Sequence, residues 1–186
     1  MHIYNYVVIL FTASELSLFF FKRSKTATEK GNNDKKSLPI LWLAIAGSLT
    51  LAGFISGFKP GLHIDNVMLS RIGLVFAVCG FVIRWTAILQ LGKLFTVDVA
   101  ISNTHTLKTT GLYKIVRHPS YLGLMLIITG IALCMESLLS LAIVVVPVFI
   151  AMNYRIVIEE KTLTGEFGAQ YEEYSKKVSK IIPWIY

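Results

Sequence analysis

The heptapeptide RHPSYLG, Arg117 to Gly123, gathers a guanidinium, an imidazole, a hydroxyl and a phenol around a proline, directly ahead of a long apolar run. Proline lacks a backbone donor and disfavours helix at the residue before it, so the sequence predicts an extended His118 and a helix starting at Pro119. The free N–H groups of Ser120, Tyr121 and Leu122 and the positive end of the helix dipole would then suit an anionic group. His118 adds a switchable donor or acceptor, and Tyr121 a ring with a polar tip. A structural cap with Arg117 and Tyr121 as interfacial anchors explains the same residues. A second pair, Arg155 and Glu159, is spaced four apart and so shares one helix face. Glu159 could take an ammonium and Arg155 a carboxylate or phosphate, together a zwitterion. A surface salt bridge is the plainer alternative.

The elements that carry these residues belong in a bilayer. In a chain of 186 residues, 54% are hydrophobic and only 16% charged, and the mean hydropathy is +0.63, too apolar for a soluble domain of this length. Runs at 3–21, 38–58, 72–91, 119–135 and 138–154 are each long enough to cross about 30 Å of hydrocarbon as a helix. The last two adjoin, interrupted only by Glu136 and Ser137, and predict a tight helical hairpin. The first lacks a basic n-region and a small-residue cleavage site, and the basic loop after it reads as stop-transfer, so it is expected to stay as a span. The fold class expected is all-α: five transmembrane helices and a C-terminal amphipathic helix, in one membrane-embedded domain over 1–186. No internal repeat is visible.

Charge sets the expected orientation. A net charge of +7 in a soluble protein would raise nucleic acid as a partner, but here the basic residues sort by loop. The stretch KRSKTATEKGNNDKK, Lys22 to Lys36, should lie in the cytoplasm. Five spans then put the N-terminus outside and the tail inside, with 15 of 18 basic residues cytoplasmic, Lys59 and Arg71 outside and Arg84 within the third span. That pattern points to membrane lipids as partners and excludes nucleic acid.

Charge inside a span is costly unless satisfied. Glu15 and Arg84 fall at similar depth in the first and third spans, so either they pair or each snorkels separately to the inner interface. Cys79 and Cys134 lie in different spans without metal-ligand spacing, and no metal site is expected. Gly53 with Gly57, Gly73 with Gly80, and Gly123 with Gly130 read as helix-packing positions.

Two stretches are polar enough to be cytoplasmic. In FTVDVAIS, Phe95 to Ser102, apolar and polar residues alternate as in a short strand or extended segment. In the tail, Ile156, Leu163, Phe167, Tyr171, Tyr174 and Val178 recur at spacings of seven, four, four, three and four, an amphipathic stripe that extends the fifth span, with Gly165 or Gly168 as the expected break.

HTLKTTGLYKIVRHPSYLG (His105–Gly123), a hydrophobic hairpin, RIVIEEKTLTGEFGAQYEEYSKKV (Arg155–Val178) and a terminal IPW together resemble the isoprenylcysteine carboxyl methyltransferase family, in particular its small prokaryotic-type members. The resemblance covers the motif-bearing half, about 92–186, while the N-terminal half matches in hydropathy alone. It implies an integral-membrane methyltransferase using S-adenosylmethionine and releasing S-adenosylhomocysteine. It implies a pocket wall of His105, Thr106, Leu107 and Lys108, another at Tyr113, cofactor contacts at His118, Pro119, Ser120 and Tyr121, and a catalytic pair in which Glu159 binds cofactor and Arg155 handles substrate. Asp98 stands where eukaryotic members carry a cofactor-contacting Gln. The acceptor implied is prenylated or lipid-like.

A cofactor that carries its own electrophilic methyl asks the protein mainly to align a nucleophile and exclude water. A carboxylate acceptor is already ionised at neutral pH. A phospholipid amine would need deprotonation, with His118 or Glu160 as the base. Two further alternatives stay open: a sterol-type membrane reductase using NADPH, which shares an Arg-His-Pro helix entrance, and a non-enzymatic protein whose basic first loop binds anionic lipid.

Overall fold

The computed structural model describes residues 3–22, 34–58, 67–92, 106–183 and 185. The FTVDVAIS segment, His105 and most of the first basic loop lie outside the described residues. Among those described, six α-helices account for nearly all regular structure: α1 (Ile3–Lys22), α2 (Asp34–Gly57), α3 (Val67–Leu91), α4 (Pro119–Leu133), α5 (Leu138–Phe167) and α6 (Ala169–Lys177). A 3-10 turn over Gly111–Lys114 precedes α4. By length and composition, α3, α5 and the Lys36–Gly57 part of α2 could each cross a membrane. The apolar stretches in α1 and α4, Asn5–Leu18 and Pro119–Leu133, are shorter.

α4 is the central helix. Its buried residues include Tyr121, Gly123, Leu124, Ile127, Ile128, Gly130, Ile131 and Ala132, too many for a single face, because it packs on both α3 and α5. The α3–α4 seam is built from small residues. A Cβ on Gly80 would stand 2.7 Å from the Gly123 carbonyl oxygen and one on Gly123 2.6 Å from the Arg84 nitrogen, while Gly73 and Gly130 face each other in the same way further along. The two backbones therefore approach as closely as glycine allows, maximising dispersion contact where no hydrophobic force separates helix from lipid. The expected packing role of Gly53 and Gly57 is not seen among the described residues, where a Cβ at either would meet nothing within 4 Å.

The predicted hairpin is present. α4 ends at Leu133, Glu136 turns the chain at φ 54°, and Ser137 caps α5 by accepting the Ser140 amide at 3.2 Å. α3 begins at Val67, ahead of the expected Ile72, because Ser70 and Arg71 interrupt the hydropathy of the run without interrupting the helix. α5 continues unbroken through Pro147 to Phe167, and the break falls at Gly168, φ 52°, the second of the two glycines singled out. Beyond it Tyr171 is buried while Glu172, Glu173, Lys176 and Lys177 are exposed. After α6 the chain doubles back on the α4 entrance: Arg117 N–H donates to Ser179 O at 2.8 Å and His118 N–H to Lys180 O at 3.0 Å, with Val116 and Ser179 in an isolated parallel bridge.

Candidate active site at the α4 entrance

Pro119 takes the first helical position of α4 as expected, but His118 just outside it, at φ −122°, ψ 61°, is neither helical nor extended as the sequence predicts. The expectation of three free amides needs correction. The His118 carbonyl turns back to accept both Tyr121 N–H and Leu122 N–H at 3.1 Å, so among the described residues only the Ser120 amide of the three has no such bond.

Two polar clusters grip this entrance. On one side Glu15 and Arg84 pair across α1 and α3, Nε to Oε1 at 2.6 Å and Nη2 to Oε2 at 2.7 Å, both residues buried. This decides the snorkelling alternative in favour of the pair. The third guanidinium nitrogen, Nη1, donates to the Ser120 carbonyl at 3.1 Å and ties the pair to the first turn of α4. Trp85 adds a bond from Nε1 to Ser14 Oγ at 2.9 Å along the same seam.

On the other side Tyr121 joins the two predicted tail residues. Its hydroxyl donates to Glu159 Oε2 at 2.9 Å and accepts from Arg155 Nε at 2.8 Å. Arg155 is buried at 3% exposure, not on the surface as a plain salt bridge would be, and its Nη1 reaches Ser37 Oγ of α2 at 2.8 Å. The Glu159 side chain keeps 29% exposure, with its other oxygen 4.0 Å from His118 Nδ1. The His118 ring lies tilted on Tyr121, centroids 5.7 Å apart.

Glu160, the neighbouring carboxylate, is differently placed. It meets His118 Nε2 at 3.3 Å, Arg117 Nε at 2.9 Å and Lys180 Nζ at 3.8 Å. It lies past the apolar run of α5 that ends at Tyr154. Burial alone would raise its pKa, but the hydrogen bonds and charges of His118 and Arg117 outweigh burial and hold it at about 2. Arg117 Nη1 also donates to the carbonyls of Ser175, at 2.7 Å, and Val178, strapping the end of α6 to the entrance.

Tyr113 is buried in the 3-10 turn, donating from its hydroxyl to Ala87 O of α3 at 3.3 Å and accepting the Tyr174 hydroxyl at its carbonyl. Burial pushes both phenols up, Tyr174 to about 12, so both are donors at neutral pH. Thr106, Leu107 and Lys108 lead into this turn as coil, Thr106 exposed and the other two half-buried. The structure thus gathers Tyr113, His118, Pro119, Ser120, Tyr121, Arg155 and Glu159 around one helix entrance. Sequence reasoning gave no role to Ser37 or Tyr174 and took Arg117 only as an interfacial anchor. Ser37 carries no periodic signal, and the tyrosine counted only as an apolar position of the tail stripe.

The family model described as the isoprenylcysteine carboxyl methyltransferase family matches residues 72–165. Protein-S-isoprenylcysteine O-methyltransferase B of Arabidopsis thaliana is 30% identical over 180 residues, covering 91% of both chains. The chain belongs to this family. It is therefore a methyltransferase, and its apolar helices make it an integral membrane protein; the reductase and non-enzymatic alternatives fall. The Xenopus laevis protein-S-isoprenylcysteine O-methyltransferase is 37% identical over 181 residues, covering 91% of this chain and 62% of its own length. The solved structure of a eukaryotic intramembrane Ras methyltransferase of the same family superposes with a TM-score of 0.73 at 30% identity, covering 98% of this chain and 65% of that one.

Proposed function

We propose that the chain transfers a methyl group from S-adenosylmethionine to the carboxylate of a membrane-borne isoprenylcysteine or similar lipid-like acceptor. The observation that carries this reading is the Arg155–Tyr121–Glu159 chain of hydrogen bonds. It holds a buried cation and a partly exposed carboxylate side by side at the α4 entrance. A zwitterionic cofactor fits these donors and acceptors. Glu159 keeps 29% of its side chain exposed for an ammonium, the Ser120 amide can donate to an anionic or neutral oxygen, and the tyrosines around Tyr113 offer apolar faces with protonated hydroxyls. His105, Thr106, Leu107, Lys108, Tyr113, His118, Pro119, Ser120 and Tyr121 are the remaining proposed cofactor contacts.

The cofactor supplies an electrophilic methyl on a sulfonium. The protein's part is alignment: Arg155 orients the acceptor carboxylate, and Ser37 and Tyr121 fix the plane of its guanidinium. An ionised carboxylate asks for no base, and of the two candidates for one His118 is buried with its Nε2 3.3 Å from Glu160 Oε1. Glu160, at about 2, is a weak base and is engaged with Arg117, His118 and Lys180. That favours carboxyl methylation over methylation of a phospholipid amine.

The reading includes a single membrane-embedded domain with five spans, the shorter apolar helices α1 and α4 crossing with the other three. The N-terminus lies outside, the site and an amphipathic α6 on the cytoplasmic face, and the membrane is the cell's inner one. The Lys and Arg distribution supports this orientation.

The test is methyl transfer from tritiated S-adenosylmethionine by detergent-purified protein, offered a farnesylcysteine derivative or phosphatidylethanolamine vesicles. Label on the farnesylcysteine that mild base releases as methanol is the expected outcome. Base-stable label on phosphatidylethanolamine would overturn carboxyl methylation.

A further inference from the structure

Tyr171 is the buried side chain whose polar atom the fold leaves unanswered. It sits in the first turn of α6, 3% exposed, and its hydroxyl is the one buried side-chain oxygen or nitrogen among the described residues with no hydrogen-bond partner. Its neighbours are accounted for: the Tyr171 amide donates to Gly168 O at 3.1 Å, and the Tyr174 ring, 6.0 Å away centroid to centroid, sends its hydroxyl to Tyr113 O. A buried hydroxyl without a partner is costly, and native folds leave very few. When one lies among polar side chains, an absent ligand is a specific explanation.

The surroundings of Tyr171 are the α4 entrance itself. Arg117 binds the carbonyls of Ser175 and Val178 at the end of α6, which brings the helix against this cluster, and Glu160, Arg117, Glu159 and Tyr174 act on the Tyr171 hydroxyl electrostatically. Burial keeps the phenol protonated, a donor in search of an acceptor. That acceptor is not an anion, because the carboxylates of Glu159 and Glu160 stand nearby and Arg117 is engaged with Glu160, Ser175 and Val178. The family resemblance gives Tyr171 no role, and in the sequence it counted only as an apolar position of the tail.

We infer that Tyr171 binds the methyl donor, its hydroxyl donating to a neutral acceptor on the adenosyl part, a ribose oxygen or a ring nitrogen, so that α6 contributes a cofactor contact as well as a cover. The inference rests on the cofactor reading above. It also explains why Arg117 and the Val116–Ser179 bridge hold the tail to the helix entrance: a contact delivered from α6 needs α6 fixed.

The test is Tyr171→Phe, with Tyr174→Phe as the control, in calorimetric titrations with S-adenosylhomocysteine and with adenosine and in thermal unfolding of ligand-free protein. Tyr171→Phe is expected to weaken both ligands about 3- to 10-fold, the range for one neutral hydrogen bond. Its unfolding midpoint should equal or exceed that of the wild type, since the change removes an unanswered buried hydroxyl. Tyr174→Phe should lower the midpoint, because its hydroxyl already serves the fold. Equal S-adenosylhomocysteine affinity in Tyr171→Phe overturns the inference, as does an affinity loss accompanied by a lower midpoint, which would make the hydroxyl part of the fold. A loss confined to S-adenosylhomocysteine overturns the assignment to the adenosyl part. Failure of the wild type itself to bind would overturn the cofactor reading and this inference with it.

Discussion

The two polar clusters at the α4 entrance are built from the same residue types and do opposite things. Around Arg84 the guanidinium meets both oxygens of Glu15, the remaining nitrogen goes to the Ser120 carbonyl, and the whole is buried. Around Glu159 the carboxylate holds one tyrosine hydroxyl and still exposes 29% of its side chain. The first cluster is closed and fixes where the helix starts. The second is open toward a ligand. Even the adjacent carboxylates divide this way: Glu160 is saturated by Arg117, His118 and Lys180, and one residue earlier Glu159 is not. A pair of buried charges is thus not by itself the mark of a site; unfinished coordination beside a fixed backbone is.

The largest effect should come from breaking the closed cluster. Arg84→Ala leaves Glu15 buried without its partner and should cost about 3–5 kcal/mol, read as a large drop in the thermal midpoint in detergent. Replacing both, Glu15→Leu with Arg84→Met, should recover most of the loss, because an apolar pair of similar volume is far better tolerated than a lone buried charge. The open cluster should respond in binding instead. Glu159→Ala removes a charge-assisted bond to the cofactor, an expected loss of about 10- to 100-fold in S-adenosylhomocysteine affinity, with a fall in midpoint smaller than that of Arg84→Ala because Tyr121 loses its acceptor.

Between these lies the helix seam. Gly130→Ala puts a methyl 2.7 Å from the Ala77 nitrogen, against backbone that cannot yield, and should cost about 1–3 kcal/mol in unfolding measurements. A smaller effect distinguishes the two carboxylates by pH. The folded pKa of Glu160, about 2, lies below its ordinary 4.5, so its contribution is fully present above 4.5 and fades as pH falls toward 2. Glu160→Gln should flatten the acid limb of the midpoint-versus-pH curve over that window. The smallest effect should be Gly53→Ala: with nothing within 4 Å, it should be neutral or gain up to about 1 kcal/mol of helix propensity.

What the sequence disclosed was local or costly. Pro119, Ser137 and Gly168 signal helix ends through their own backbone chemistry, and the structure ends helices there. Glu15 and Arg84 were legible as candidate partners, with separate snorkelling left open, because a charge within an apolar run must be answered. Ser37 and Arg155, 118 residues apart, were not, since no pattern along the chain says that the start of α2 meets the middle of α5. The amides at the α4 entrance were misjudged because a helix N-terminus is open only until a carbonyl turns back on it, and the His118 ψ of 61° that allows this is not written in the residue types. Gly53 and Gly57 had the spacing of a packing motif but face away from the other helices, which spacing alone does not reveal.

The central claim, that the open cluster is a cofactor site, is tested most directly by calorimetric titration of S-adenosylhomocysteine into the detergent-purified wild type and Glu159→Ala proteins. The account predicts saturable binding by the wild type and a loss of at least about tenfold in the variant, both titrated well below their unfolding midpoints. No binding by a folded wild type, or equal binding by both proteins, would contradict it.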